Sequence, residues 1–124
     1  MSFALSQYRS ARVETASPIR LVVDLYRGAL RHLAQARAYQ DDGRPGDRGA
    51  ALGKAHAIVS ELQAALDHDR APELSDELDR LYDFVLHRIG EANVQADVNL
   101  LVPAIEVLQT LESAWAEIAT RSAP

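Results

Sequence analysis

Ser17-Pro18-Ile19-Arg20-Leu21-Val22-Val23-Asp24-Leu25-Tyr26-Arg27-Gly28-Ala29-Leu30 opens a helix and sets its character. Ser17 can cap the free N–H groups of a first turn, and Pro18 suits the first helical position because it has no N–H to leave unpaired. Leu21, Leu25, Ala29, His32, Ala36 and Tyr39 then recur at helical spacing. A second row, Val22, Tyr26, Leu30 and Leu33, widens the apolar stripe beyond a simple seam. The turn formers Asp41-Asp42-Gly43-Arg44-Pro45-Gly46 end the pattern after about 23 residues, or roughly 34 Å of helix.

Three more helical stretches follow. The second runs from near Asp47 to Asp67, with Ala51, Ala55, Ile58, Leu62 and Ala65 as its core row and Leu52, Val59 and Leu66 beside it. His68-Asp69-Arg70-Ala71-Pro72 breaks it. Ser75 is the expected cap of the third, whose row is Leu78, Leu81, Tyr82, Val85, Ile89 and Ala92 and whose early acids suit a helix N-terminus. Asp97 caps the fourth, with Leu101, Ile105, Leu108, Leu111, Trp115 and Ile118 facing inward. Pro103 either kinks the second turn of that helix or delays its start to about Val102. Short connections between comparable helices imply antiparallel neighbours. The expected fold is an all-α antiparallel four-helix bundle in one domain over 1–124, with residues 17–120 as the bundle. Residues 1–16, carrying Phe3, Leu5 and Tyr8, form a helical cap segment too short to be stable without docking.

Composition narrows the function. The 124 residues include no cysteine, which excludes disulfides, thiolate metal sites and thiol nucleophiles. The net charge of −5 argues against a nucleic-acid role. The N-terminus lacks the basic and apolar regions of a signal peptide, and no apolar run approaches a membrane span, so a cytoplasmic protein without membrane insertion is expected. Charge is uneven: residues 1–48 sum to +3 and residues 49–124 to −8. Neither half contains a like-charge block long enough to make a disordered tail.

Catalytic signatures are missing. The four imidazoles, His32, His56, His68 and His87, form no paired Glu-x-x-His motifs of the ferritin-like kind. Asp83, His87 and Glu91 follow one another at four-residue spacing, which reads as a solvated helix face rather than a metal site. No Gly-x-Ser-x-Gly elbow places a nucleophile, and no Gly-rich phosphate loop occurs. The expectation is a protein that is not an enzyme and holds no cofactor. What stands out is apolar surface beyond a bundle's need, in Val22, Val23, Tyr26 and Leu30 of the first helix. Such residues pack against the N-terminal segment or a second copy, or they form a groove for an amphipathic peptide.

Several runs carry a family likeness. Tyr8, Val13, Thr15-Ala16-Ser17-Pro18, Leu25-Tyr26 and Gly28-Ala29 come first, then Ala51-Leu52-x-Lys54-Ala55-x-x-Ile58-Val59-x-x-Leu62 with Leu66-Asp67. The most specific run is Leu81-Tyr82-Asp83-Phe84-Val85-x-x-Arg88-Ile89-x-Glu91-Ala92-Asn93-Val94-x-x-Asp97, followed by Trp115 near the end of the last helix. In order and spacing these resemble the flagellin-export chaperones of the FliS family over residues 8 to 118. The resemblance implies a helical bundle that binds the disordered C-terminal tail of flagellin in apolar grooves. It also implies protection of flagellin from polymerising in the cytoplasm, delivery to the flagellar type III export gate, and an N-terminal cap that shifts when flagellin binds.

On that basis Tyr8 is expected to dock near the start of the first helix. The groove is assigned to Leu21, Val22, Leu25, Tyr26 and Ala29 with Ile58, Leu62 and Leu66, and Tyr82 and Val85 are added from the third helix. Core packing is the competing role for each Ile and Leu, whereas a Tyr tip prefers a polar or wet edge. Arg88 and Asn93 either pair with backbone and acidic side chains or touch the partner's backbone. A structural homodimer without a client is the second reading, its apolar face an obligate self-interface.

Overall fold

The computed structural model describes residues 18–121; Tyr8, Ser17 and the expected cap segment lie outside the described residues. Four helices follow in order: α1 (Pro18–Asp41), α2 (Pro45–Ala64), α3 (Pro72–Gln95) and α4 (Val102–Arg121). A 3₁₀ turn, Val98–Leu101, joins α3 to α4. The bundle is a square in which α1 packs on α2 and α4 while α3 packs on α2 and α4. Among the described residues the diagonal pairs make no close backbone approach.

Small residues set the tightest edge. Ala29 and Ala36 on α1 and Ala51 and Ala55 on α2 are buried and let the two backbones come together. Gly28 belongs to the same edge: a Cβ there would sit 3.4 Å from the Ile58 Cδ1. Leu33, Leu52, Val59, Ile89, Leu101 and Leu108 fill the centre. The opposite edge, between α3 and α4, is the most loosely packed of the four.

Two helix ends share one geometry. After α1 the Arg44 N–H bonds the Tyr39 carbonyl at 2.9 Å and the Gly43 N–H bonds the Gln40 carbonyl at 3.1 Å, with Gly43 left-handed at φ 68°. After α3 the Asp97 N–H bonds the Ala92 carbonyl at 3.0 Å and the Ala96 N–H bonds the Asn93 carbonyl at 3.4 Å. Both are Schellman ends, for which glycine is the usual residue. At the second it is Ala96, at φ 51°.

The third helix starts earlier than expected. Pro72 takes the opening turn and Ser75 lies buried inside α3, its hydroxyl donating to the Asp67 carbonyl at 3.0 Å rather than capping. Proline at the first helical positions is itself a start signal, and here it overrides the serine. The second helix stops at Ala64 because Asp67 organises the connection, its Oδ1 accepting the N–H groups of Asp69 and Arg70 at 3.2 and 3.0 Å. Asp97 caps the 3₁₀ turn by accepting the Asn99 N–H at 3.0 Å. Pro103 falls in the first turn of α4, where its missing N–H costs nothing, so Val102 is the start. Ile118 faces outward, contrary to its assigned inward position.

Candidate functional site

The surplus stripe of α1 is consumed inside the bundle. Leu21, Val23, Leu25, Tyr26 and Ala29 are buried, and Val22 and Leu30 pack half-buried on the core. A helix touching two neighbours needs a wide stripe, which accounts for most of the surplus, Val22 being left at the edge of a cleft. Val85 is fully buried too, and Ile58 is half-buried against the Gly28 edge.

The apolar surface that stays open lies along α3 and α4. On α4, Pro103, Val107, Leu111 and Trp115 recur every fourth residue and make one ridge about 18 Å long at 1.5 Å per residue. On α3, Leu74, Leu81 and Phe84 stand beside the inward row, Leu74 being 51% and Phe84 39% exposed. Two clefts follow from this arrangement. One, of about 370 Å³, is lined by Leu81, Phe84, Pro103, Val107 and Leu111, with Glu106 and Thr110 at its edge. The other, of about 220 Å³, is lined by Val22, Leu62, Leu66, Leu74, Leu78, Tyr82 and Trp115, with Asp67 and Arg70 among its polar residues. Leu111 and Trp115 are one turn apart, as are Leu78 and Leu81, so the clefts adjoin along the α3/α4 seam.

Tyr82 underlies the second cleft. Its hydroxyl is hydrogen-bonded to that of Tyr26, with the ring centroids 6.4 Å apart and tilted by 40°. The wet edge expected of these tyrosines is replaced by this buried pairing, with Tyr26 wholly inaccessible. Burial above all pushes both phenols above their ordinary range, and Tyr82 is raised further by the charge Tyr26 would carry and by their shared hydrogen bond.

Four of the sequence-assigned residues, Val22, Leu62, Leu66 and Tyr82, therefore meet at one cleft. The Arg88 guanidinium lies 5.5 Å from the centroid of the Phe84 ring, at the end of the seam. Exposed Asn93 approaches α2 instead, its Oδ1 3.5 Å from where a Cβ on Gly49 would be. Sequence reasoning assigned Trp115 and Leu81 to the core and passed over Leu74 and Phe84 and the ridge through Val107 beside them. The signal was present: apolar residues flank the inward row on α3, and a four-residue period starts from Pro103.

The remaining large cleft, about 520 Å³, lies on the α2 side of α3 between His56, Leu86, His87, Glu91 and Val94. Its histidines are engaged: His87 Nε2 is 3.3 Å from Glu91, and His56 Nδ1 is 3.5 Å from the Ser60 hydroxyl. Asp83, the third member of the expected solvated face, accepts at 2.7 Å from Gln63, which also donates to Asp79 at 2.8 Å and so clips α2 to α3. No group of three His, Asp or Glu side chains converges to hold a metal among the described residues. No described helix is long and apolar enough to cross a membrane.

Comparison with known proteins places these features in a family. The family described as flagellar protein FliS matches residues 1–122. The chain is 38% identical over 116 residues to the flagellar secretion chaperone FliSB of Pseudomonas aeruginosa, covering 90% of this chain and 92% of that one. It is 33% identical over 122 residues to the flagellar secretion chaperone FliS of Vibrio cholerae, covering 95% and 90%. The crystal structure of a bacterial flagellar chaperone shares the fold with a TM-score of 0.79 at 23% identity, over 96% of this chain and 97% of the other. The curated relatives are named as chaperones, not as enzymes.

Proposed function

The chain belongs to the FliS family of flagellar secretion chaperones, and from that premise we propose that it binds the disordered C-terminal segment of flagellin along the α3/α4 seam. Binding keeps flagellin from polymerising in the cytoplasm and aids its delivery to the flagellar type III export gate. The observation that carries this reading is an apolar cleft between α3 and α4, the most loosely packed pair, adjoined by a second apolar cleft that Trp115 shares with α3 and the end of α2. A cavity of about 150 Å³ already holds benzene, so the smaller cleft admits one ring- or Leu-sized side chain and the larger admits more. An amphipathic helix offers such side chains at three- and four-residue spacing, matching the period of the Pro103–Trp115 ridge. Each anchor buried from water contributes roughly 1.5–3 kcal/mol, enough for a few of them to offset the ordering of a disordered tail.

Calorimetric titration with the C-terminal segment of the cognate flagellin tests the reading. The expected result is a stoichiometric complex with a negative heat-capacity change. No binding by a bundle shown to be folded would overturn it. A mass that stays dimeric on dilution, without peptide binding, would favour a self-associating structural bundle.

A further inference from the structure

The polar side chains that line the smaller cleft, the one beside Trp115, are already engaged, with one exception. The α2–α3 connection supplies Asp67, Arg70 and Ala71 to the lining, so the seam ends there against a loop. Asp67 Oδ1 accepts the N–H groups of Asp69 and Arg70 at 3.2 and 3.0 Å, and the Asp67 carbonyl accepts the Ser75 hydroxyl at 3.0 Å. Tyr82 is bonded to Tyr26 beneath the cleft. His68, in the same connection, pairs with Asp76 at 3.1 Å. The exception is Arg70. Its backbone N–H is held by Asp67, which fixes where the side chain leaves the loop, but its guanidinium makes no hydrogen bond or ion pair among the described residues.

We propose that Arg70 receives the α-carboxylate that ends the flagellin segment, so that the client lies with its C-terminal end at this cleft and runs parallel to α4. This deepens the client reading above and rests on it. A client seated over the cleft takes water from the guanidinium, and a cation stripped of water needs an anion in its place. Leu62, Leu66, Leu74 and Leu78 offer none, and Asp67 is turned to its own loop. An Arg fork and a carboxylate match in shape and charge, and the carboxylate that closes a chain is ionised at neutral pH. The last turn of a client helix brings its unpaired carbonyls and the negative end of its dipole to the same place. The loop also blocks a helix that follows the seam, which suits a chain end better than a chain passing through. The larger cleft carries the opposite sign: Glu106 is the charged residue of its lining, fit for the positive N-terminal end of that helix, while Arg88 nearby lies on the Phe84 ring.

The test titrates two forms of the C-terminal segment of the cognate flagellin, one ending in the free carboxylate and one in the amide. Each is titrated into wild-type, Arg70→Gln and Arg88→Gln protein whose folding is checked by circular dichroism. On the wild type the amide should bind about fivefold more weakly at low salt, with the gap narrowing as salt screens the pair. That gap should close on Arg70→Gln and persist on Arg88→Gln. Acid and amide within about twofold on the wild type, or a gap that survives in Arg70→Gln, overturns the proposal. A gap that also closes on Arg88→Gln reports overall charge rather than a seat at Arg70, and overturns it too. Changing each Asp and Glu of the segment to Asn or Gln in turn covers the side-chain carboxylates; coupling of Arg70 to one of those in place of the terminus refutes the orientation. A carboxylate-ended segment that fails to bind even the wild type refutes the client reading itself, and this one with it.

Discussion

Phe84 lets the seam be challenged without emptying the core. It is 39% exposed, and a Phe side chain buries about 150–250 Å² when fully covered, so a docked client would hide about 60–100 Å² of it. At about 25 cal/mol per Å² this gives roughly 1.5–2.5 kcal/mol as a ceiling on its worth in binding. Ordering of the client consumes part of that, so Phe84→Ala is expected to weaken binding about five- to tenfold. The free bundle loses the part of the ring already packed, about 90–150 Å² or roughly 2–4 kcal/mol, and its contact with Arg88, which a domain toward the upper part of the about 5–15 kcal/mol range tolerates. Val94→Ala is the control. Val94 is 85% exposed on the same helix but lines the cleft toward α2. Calorimetry with the flagellin segment measures affinity, and urea unfolding of each free variant measures stability. Phe84→Ala binding within twofold of wild type while Val94→Ala loses five- to tenfold would put the client between α2 and α3 and refute the seam.

Two further predictions concern the free bundle. Ala96→Gly should stabilise it by about 0.5–1 kcal/mol, seen as a rise of a few degrees in Tm, because only the left-handed conformation at φ 51° is relieved; no change would mean that Ala96 carries no strain. Stability should also fall at alkaline pH. Tyr26 and Tyr82 stay protonated in the fold, whereas in the unfolded chain they ionise near pH 10, so above that value the unfolded state binds fewer protons and is favoured. Stability is then flat below about pH 9 and declines above pH 10 by up to about 1.4 kcal/mol per pH unit for each tyrosine, and Tyr82→Phe halves the slope. Urea midpoints unchanged between pH 9 and 11 would contradict this.

The helices were legible because hydrophobic period and breakers agree. Gly43 and Pro45 end one helix and begin the next, and Asp97 with Pro103 brackets the 3₁₀ turn. The early start of α3 was obscured because Ser75 and Pro72 are both start signals, three residues apart, and a sequence does not rank them. The seam was harder to see. Each inward row can be read one helix at a time, but which pair of helices packs loosely depends on all four together. Small residues draw α1 onto α2, so most of the open surface falls on α3 and α4, and of the α1 and α2 residues first credited with it Val22, Leu62 and Leu66 line a cleft. The tyrosine pair escaped for a related reason: Tyr26 and Tyr82 are 56 residues apart, and each alone looks like a residue seeking water.

The unequal edges of the square also bear on how the bundle breathes. With α3 and α4 the least engaged pair, the amides of α4 are expected to exchange with solvent before those of the α1–α2 hairpin. A client lying across that edge would act as a fifth helix closing an unfinished structure. Its affinity would then enter the chaperone's own folding equilibrium, adding about 2.7 kcal/mol when the free client stands at a hundred times its Kd. Chaperone and cargo would thus protect each other, and release of the cargo would return α4 to its looser state.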